Sequence, residues 1–374
     1  MKSRVLSFGS LSGSLARNQA QGVIDRIQER LPRLTCQLSL LPSPVPELDK
    51  ADEPFVTASR GEVEFLEGMI LDGQVRLAVL EASDMVVPLP AGLAVVCVPD
   101  RATPYDAFLN RQGLIMDEME PGSRIGAMSL RSRAQMRALW PDLQFPILRG
   151  GAERAMEIHM RRAEIDGLVM PASVTEHLGI QGIVAEIFSP EFILPGPGQG
   201  ILVIVGRAGD QEARTALADL HSPATAAELA AEHAFCRRMV SDQDLPVGAL
   251  ARVSGGQIAI TGTTGRGTSR ITVDGGIDQA EAVGDGLASQ ILSSAESFAD
   301  LLEADFPDGL PDDDGSGEDL PGLDGVDDLD DLDAVDDLDD LDGLDDFGDD
   351  DFPEDPADGL DDELDPDDDD PYGR

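Results

Sequence analysis

From Leu323 to Phe347 an apolar side chain recurs at every third position: Leu323, Val326, Leu329, Leu332, Val335, Leu338, Leu341, Leu344 and Phe347, with aspartates filling most of the gaps. This spacing limits what the chain can build more than any other feature does. An α-helix turns about 100° per residue, so a three-residue step drifts by about 60° each time and no one face collects the leucines. Paired aspartates repel one another and are poor helix formers. From about Phe306 the chain is mostly Asp, Leu, Gly and Pro, so residues 306–374 are expected to be a disordered acidic-hydrophobic tail, for interaction or simply for solubility. The spacing matches no EF-hand loop. A packed fold must come from roughly the first 300 residues.

The charge divides the same way. The 374 residues carry 27 Lys and Arg against 73 Asp and Glu, a net charge of −46, and 35 of the acids fall in residues 301–374, where Arg374 is the one basic residue. The remainder is mildly acidic, with two lysines, Lys2 and Lys50. Binding a nucleic-acid backbone needs clustered Lys and Arg, so nucleic acid is excluded as a partner. Cys36, Cys97 and Cys236 are widely spaced, with no Cys-x-x-Cys pair and four scattered histidines, which points to neither a zinc site nor a disulfide framework. The apolar stretch after Met1-Lys2-Ser3-Arg4 is too brief for a signal segment, and no apolar run approaches the roughly 18–20 residues of a membrane span. The expectation is a soluble cytoplasmic protein without a membrane partner.

Within residues 1–300, short apolar runs alternate with longer amphipathic stretches. Strands are expected at Arg4–Phe8, Val75–Leu80, Leu93–Val98, Asp166–Met170 and Ile201–Val205, and helices at Leu15–Leu31, Ser132–Trp140, Ala226–Val240 and Ala280–Phe298. Ile258–Thr263 and Arg270–Val273 read as a closing hairpin. Such alternation implies an α/β fold with layered sheets and more than one domain.

Several blocks go beyond pattern. Ile125-Gly126-Ala127-Met128-Ser129-Leu130-Arg131, Leu148-Arg149-Gly150 and Leu194-Pro195-Gly196-Pro197-Gly198-Gln199-Gly200 are the strongest. Around them stand Asp106-Ala107-Phe108, Trp140-Pro141-Asp142-Leu143, Ala231-Glu232-His233-Ala234-Phe235-Cys236-Arg237-Arg238 and Leu245-Pro246-Val247-Gly248-Ala249. In this order and spacing, over residues 4–300, the set resembles the hydroxymethylbilane synthase family, also called porphobilinogen deaminase. The resemblance implies three domains. Residues 1–95 with 200–217, and 100–195, would form two doubly wound domains like those of periplasmic binding proteins, facing each other across a cleft. Residues 222–300 would form a small α+β third domain, and Gly196–Gly200 would be a hinge, which Gly and Pro suit sterically.

The family joins four porphobilinogen units with release of ammonia, on a dipyrromethane primer held by a cysteine thioether. Substrate and product carry many carboxylates, which arginine forks bind in bidentate fashion, and an acid must stabilise charge and move protons. By resemblance Asp84, in Leu80-Glu81-Ala82-Ser83-Asp84, matches the catalytic aspartate; the alternative is an ordinary loop aspartate. Ser129, Arg131 and Arg149 match substrate-binding positions, with Arg154 beside a lost one at Ala155; the alternative for the arginines is a structural salt bridge. Other expected cations are replaced by Leu11, Ser132 and His177, and acids stand at Glu62, Glu64 and Glu81. Counting back from Leu245-Pro246-Val247-Gly248, the cofactor cysteine falls on Gln243, whose carboxamide cannot form a thioether.

The reading that follows is a degenerate, non-elongating relative without a bound cofactor. It acts as a pseudoenzyme, through a cleft that takes a small anionic ligand or as an interaction module whose tail takes a basic protein partner. It is expected to be a monomer. The alternative is an active synthase with its dipyrromethane.

Overall fold

The computed structural model describes residues 4–44, 60–162, 164–239, 246–265 and 269–294, all within the unit Met1–Leu320. The expected tail at 306–374 and Gln243 lie outside the described residues. Three sheets organise what is described.

The first sheet runs β2-β1-β3-β9-β4, from β1 (Arg4–Leu11), β2 (Leu34–Leu41), β3 (Leu77–Glu81), β4 (Leu93–Cys97) and, arriving from far along the chain, β9 (Leu202–Arg207). β1 is parallel to β2 and β3, and β9 is antiparallel to both β3 and β4. Successive side chains of a strand point to opposite faces, and both faces of this sheet are apolar. Leu77, Val79, Leu202 and Ile204 pack with Val23, Ile24 and Ile27 of α1 (Ser14–Arg30) on one side. Ala78, Leu80, Val203 and Val205 pack with Val63, Leu66 and Ile70 of α2 (Arg60–Leu71) on the other. This is why β3 and β9 read as unbroken apolar runs rather than alternating ones.

The second sheet, β6-β7-β5-β8, is built from β5 (Asp106–Leu109), β6 (Ile125–Ala127), β7 (Gly167–Pro171) and β8 (Val184–Ile187). It too is sandwiched: Ala107, Leu109, Leu168 and Met170 face one core, and Phe108, Ile125, Ala127 and Val169 the other. Its helices are α3 (Leu130–Leu139), α4 (Gly151–Glu157), which runs into a π-helical turn at Ile158–Arg162, and α5 (Ala172–Leu178). Past β9 and α6 (Gln211–Ala216) comes α7 (Pro223–Met239). The third sheet, β10 (Val247–Ser254), β11 (Gln257–Thr264) and β12 (Arg270–Gly276), is antiparallel and packs one face on α7 and α8 (Ala280–Ser294). The last two helices touch closely: a Cβ built on Gly284 would stand 2.1 Å from the Ala231 carbonyl oxygen.

The fold is thus α/β with doubly wound sheets followed by a small α+β portion. Every expected strand and helix is present within a few residues of its expected bounds, and α8 is described only to Ser294. The expected hairpin is the inner and outer strand of a three-stranded sheet, since β10 also pairs with β11. α3 begins two residues before the expected start because Ser129 caps it, its Oγ accepting the Ser132 N–H at 3.0 Å.

Candidate functional site

The segment joining the two doubly wound halves is held by a buried polar network. Gly198 and Gly200 have φ of +79° and +75°, and each lies against other backbone: a Cβ at Gly198 would sit 2.9 Å from Ala82 C and Ser83 N, and one at Gly200 2.8 Å from the Thr103 carbonyl oxygen. Positive φ and that approach both require glycine. Between them Gln199, 4 % exposed, donates through Nε2 to the Pro104 carbonyl at 2.8 Å and to Asp106 Oδ1 at 3.2 Å. Its own carbonyl accepts from Arg101 Nε and Nη2.

Arg131 closes the network from α3. Nη1 donates to Asp106 Oδ2 at 2.7 Å and to the Leu194 carbonyl at 2.9 Å, while Nη2 donates to Asp106 Oδ1 at 3.0 Å and Gln199 Oε1 at 3.2 Å. Four of its five N–H donors are therefore spent inside the protein, and the residue is buried. On the other side Glu232 of α7, fully buried, accepts from Arg101 Nη1 at 2.7 Å, Gly198 N–H at 2.6 Å and Ala251 N–H at 2.8 Å. Third sheet, crossing segment and second half meet on these two ion pairs.

Asp84 ends a 3₁₀ turn, Ala82–Asp84, that follows β3 and is half-buried. The turn is anchored at Ala82, whose N–H donates to the Ile201 carbonyl at 2.8 Å and whose carbonyl lies 3.1 Å from His233 Nε2. Burial lowers the His233 pKa, which keeps the imidazole neutral with its Nε2–H aimed at that carbonyl. Asp84 is thus set beside the crossing segment. Ser129 serves as the α3 cap described above, its Oγ 2.8 Å from Ser132 Oγ. Arg149 and Arg154 are half-buried, one just before the left-handed Gly150 (φ +90°) and the other on α4. The crossing segment thus contacts Arg131 and the turn residues Ala82 and Ser83 that precede Asp84, while Arg149 and Arg154 belong to the α4 region.

Two of the three acids noted in the sequence, Glu81 and Glu62, have internal partners. Glu81 accepts from Gln19 Nε2 at 2.8 Å and Glu62 from Ser43 Oγ at 2.6 Å, both carboxylates in buried residues. Sequence reasoning assigned no role to Asp106, Gln199, Arg101, Glu232 or Glu153. Asp106, Gln199 and Glu232 stand within the quoted blocks and Arg101 and Glu153 outside them, but the pairs Asp106–Arg131, Arg101–Glu232 and Leu15–Glu153 join residues 25, 131 and 138 positions apart.

A covalent dipyrromethane needs a thiolate to carry it. Gln243 supplies none. Burial pushes the Cys97 thiol up to about 12 and, with Glu232 nearby, the Cys236 thiol to about 11, and it raises Cys36 as well. Cys36 lies in β2, Cys97 in β4 and Cys236 within α7. The described residues therefore do not fit thioether attachment. Among them no cluster of three His, Cys, Asp or Glu could hold a metal ion, and no helix is long and apolar enough to cross a membrane.

The chain is 31 % identical over 293 residues to the porphobilinogen deaminase of Roseiflexus castenholzii, covering 77 % of this chain and 96 % of that one. It is 32 % identical to that of Syntrophotalea carbinolica (78 % and 94 % covered) and 30 % to that of Thermus thermophilus (77 % and 96 %). Among solved structures it matches the VFT2 domain of Bordetella pertussis BvgS with a TM-score of 0.35 and 15 % identity, over 57 % of this chain and 84 % of that one. The family model described as "Porphobilinogen deaminase, dipyromethane cofactor binding domain" matches residues 6–215. On that match and those near-complete alignments, the chain belongs to the porphobilinogen deaminase family.

Proposed function

We propose that this chain is a degenerate porphobilinogen deaminase that keeps the family fold and has lost covalently primed chain elongation. One observation carries the reading: position 243 offers a carboxamide where the resemblance places the attachment thiol, and burial raises the pKa of each of the three cysteines elsewhere. Arg131, which matches a substrate-binding position by resemblance, has four donors committed to Asp106, Leu194 and Gln199. On the same reading the half-buried Arg149 and Arg154, which match or adjoin substrate-binding positions by resemblance, take a small anionic ligand. In this reading the protein is a cytoplasmic monomer whose acidic tail takes a basic protein surface, an attraction that weakens with added salt.

Asp84 favours the second reading, an active synthase, because an acid stands where the family's catalytic aspartate is expected. Intact mass of the full chain after incubation with porphobilinogen, read beside ammonia release, decides between them. An unmodified mass without ammonia is expected. A mass gain of two pyrrole units with turnover would overturn the degenerate reading. Gln243→Cys extends the test: the variant should acquire at most a bound primer without turnover, because several of the cations remain missing.

A further inference from the structure

Helix α1 belongs to two cores at once. Its C-terminal two-thirds, through Ala20, Val23, Ile24 and Ile27, packs under the first sheet. Its first turn does not. Leu15, 2 % exposed, is buried with Ala107, Leu109, Met128, Leu148, Ala152 and Ala155 of the second half. One turn later Asn18 Nδ2 donates to the His177 carbonyl at 2.9 Å, again across to the second half.

The start of α1 lacks a cap of its own. Gly13 at the N-cap has no side chain to offer, and the first turn holds no acid. The free N–H groups and the positive end of the helix dipole need an acceptor. Glu153 of α4 provides it: Oε1 accepts the Leu15 N–H at 3.0 Å and the Ser14 hydroxyl at 3.2 Å. These are charge-assisted hydrogen bonds, stronger than their neutral counterparts. They join residues 138 and 139 positions apart.

We propose that Glu153 is a latch. Its carboxylate caps α1 from the second half, keeps Leu15 seated in that half's core, and so holds the two doubly wound halves closed against each other. Opening the junction must break both Glu153 hydrogen bonds and the Asn18–His177 bond and withdraw Leu15 together, which makes the closed state a cooperative contact. The latch does not depend on whether the chain elongates pyrroles.

Hydrogen–deuterium exchange on the full-length protein tests it, comparing wild type with Glu153→Ala and with Glu153→Gln, which keeps the shape and removes the charge. A latch predicts that amides on both sides of the junction, 14–18 and 107–109 with 152–155, accelerate together about tenfold in Glu153→Ala and less in Glu153→Gln. The third sheet, β10 to β12, should not change. Unaltered exchange would overturn the proposal. So would acceleration confined to 14–18, which would reduce Glu153 to a local helix cap, or a uniform rise that includes the third sheet, which would mark general destabilisation.

Discussion

Arg131→Ala separates a cation kept for a ligand from one kept for the fold. Arg131 is 7 % exposed and Asp106 1 %, and the two meet through paired bonds of 2.7 and 3.0 Å. Removing the guanidinium leaves the Asp106 carboxylate buried with only Gln199 Nε2 at 3.2 Å as a side-chain donor. The Leu194 carbonyl keeps Gln135 Nε2 at 3.0 Å and Gln199 Oε1 keeps the Gly196 N–H, so the stranded charge dominates the loss. Breaking a buried pair from one side costs roughly 3–5 kcal/mol. At about 2 °C per kcal/mol for a chain of this size, the melting midpoint should fall by roughly 6–10 °C without any ligand present. Thermal and urea unfolding by circular dichroism read this directly. The double replacement Arg131→Met with Asp106→Leu removes both charges and should lose less than Arg131→Ala alone. A single variant within about 1 kcal/mol of wild type, or a double variant losing the sum of both singles, would refute the argument and return Arg131 to ligand binding.

Two further outcomes follow from buried groups. His159 on the π-helical turn is fully buried, neither ring nitrogen has a hydrogen-bond partner, and burial with Arg111 nearby pulls its pKa to about 4, against the opposing pull of Asp166. The folded chain therefore prefers neutral imidazole, and the unfolded chain takes up the proton first below about 6.5. Stability is whole above that pH and falls as pH drops towards 4, by up to roughly 3 kcal/mol; His177 and His233 act in the same direction. In urea titrations from pH 7 to 4, His159→Leu should flatten the slope, and an unchanged slope would count against the account. Gly284→Ala would force α7 and α8 apart at a 2.1 Å backbone approach and should cost about 1–3 kcal/mol or more, seen as a lower melting midpoint with the first sheet's exchange protection retained.

What could be read from the sequence depended on how each segment buries itself. β3 and β9, buried on both faces, gave unbroken apolar runs, and α7 gave a long helical pattern ending in Arg237-Arg238. β2, reading Leu-Thr-Cys-Gln-Leu-Ser-Leu-Leu at a sheet edge, carries the period-2 alternation of a strand, whereas the three-residue β6 is too short for any period to show. α2 carries Val63, Leu66 and Ile70 at helical spacing, with Glu62, Glu64 and Glu67 set among them. At the site, residue types were readable and pairings were not. Nothing local says that Arg131 answers Asp106, 25 positions away within the second half, or that Glu153 caps α1, its neighbour only once both halves exist.

The position of β9 bears on how the chain comes into being. It is the fourth strand of the first sheet in space and the last of that sheet in sequence, lying between β3 and β4 and pairing with both. A nascent polypeptide that has emerged only through residue 195 holds those two strands with an empty lane between them. Two rows of unpaired backbone groups and an apolar face on either side then stay exposed until the chain has completed the second half and returned. Synthesis therefore cannot finish the first half first. The two halves mature together, and a fragment ending before Leu202 is expected to remain a client of chaperones rather than a domain.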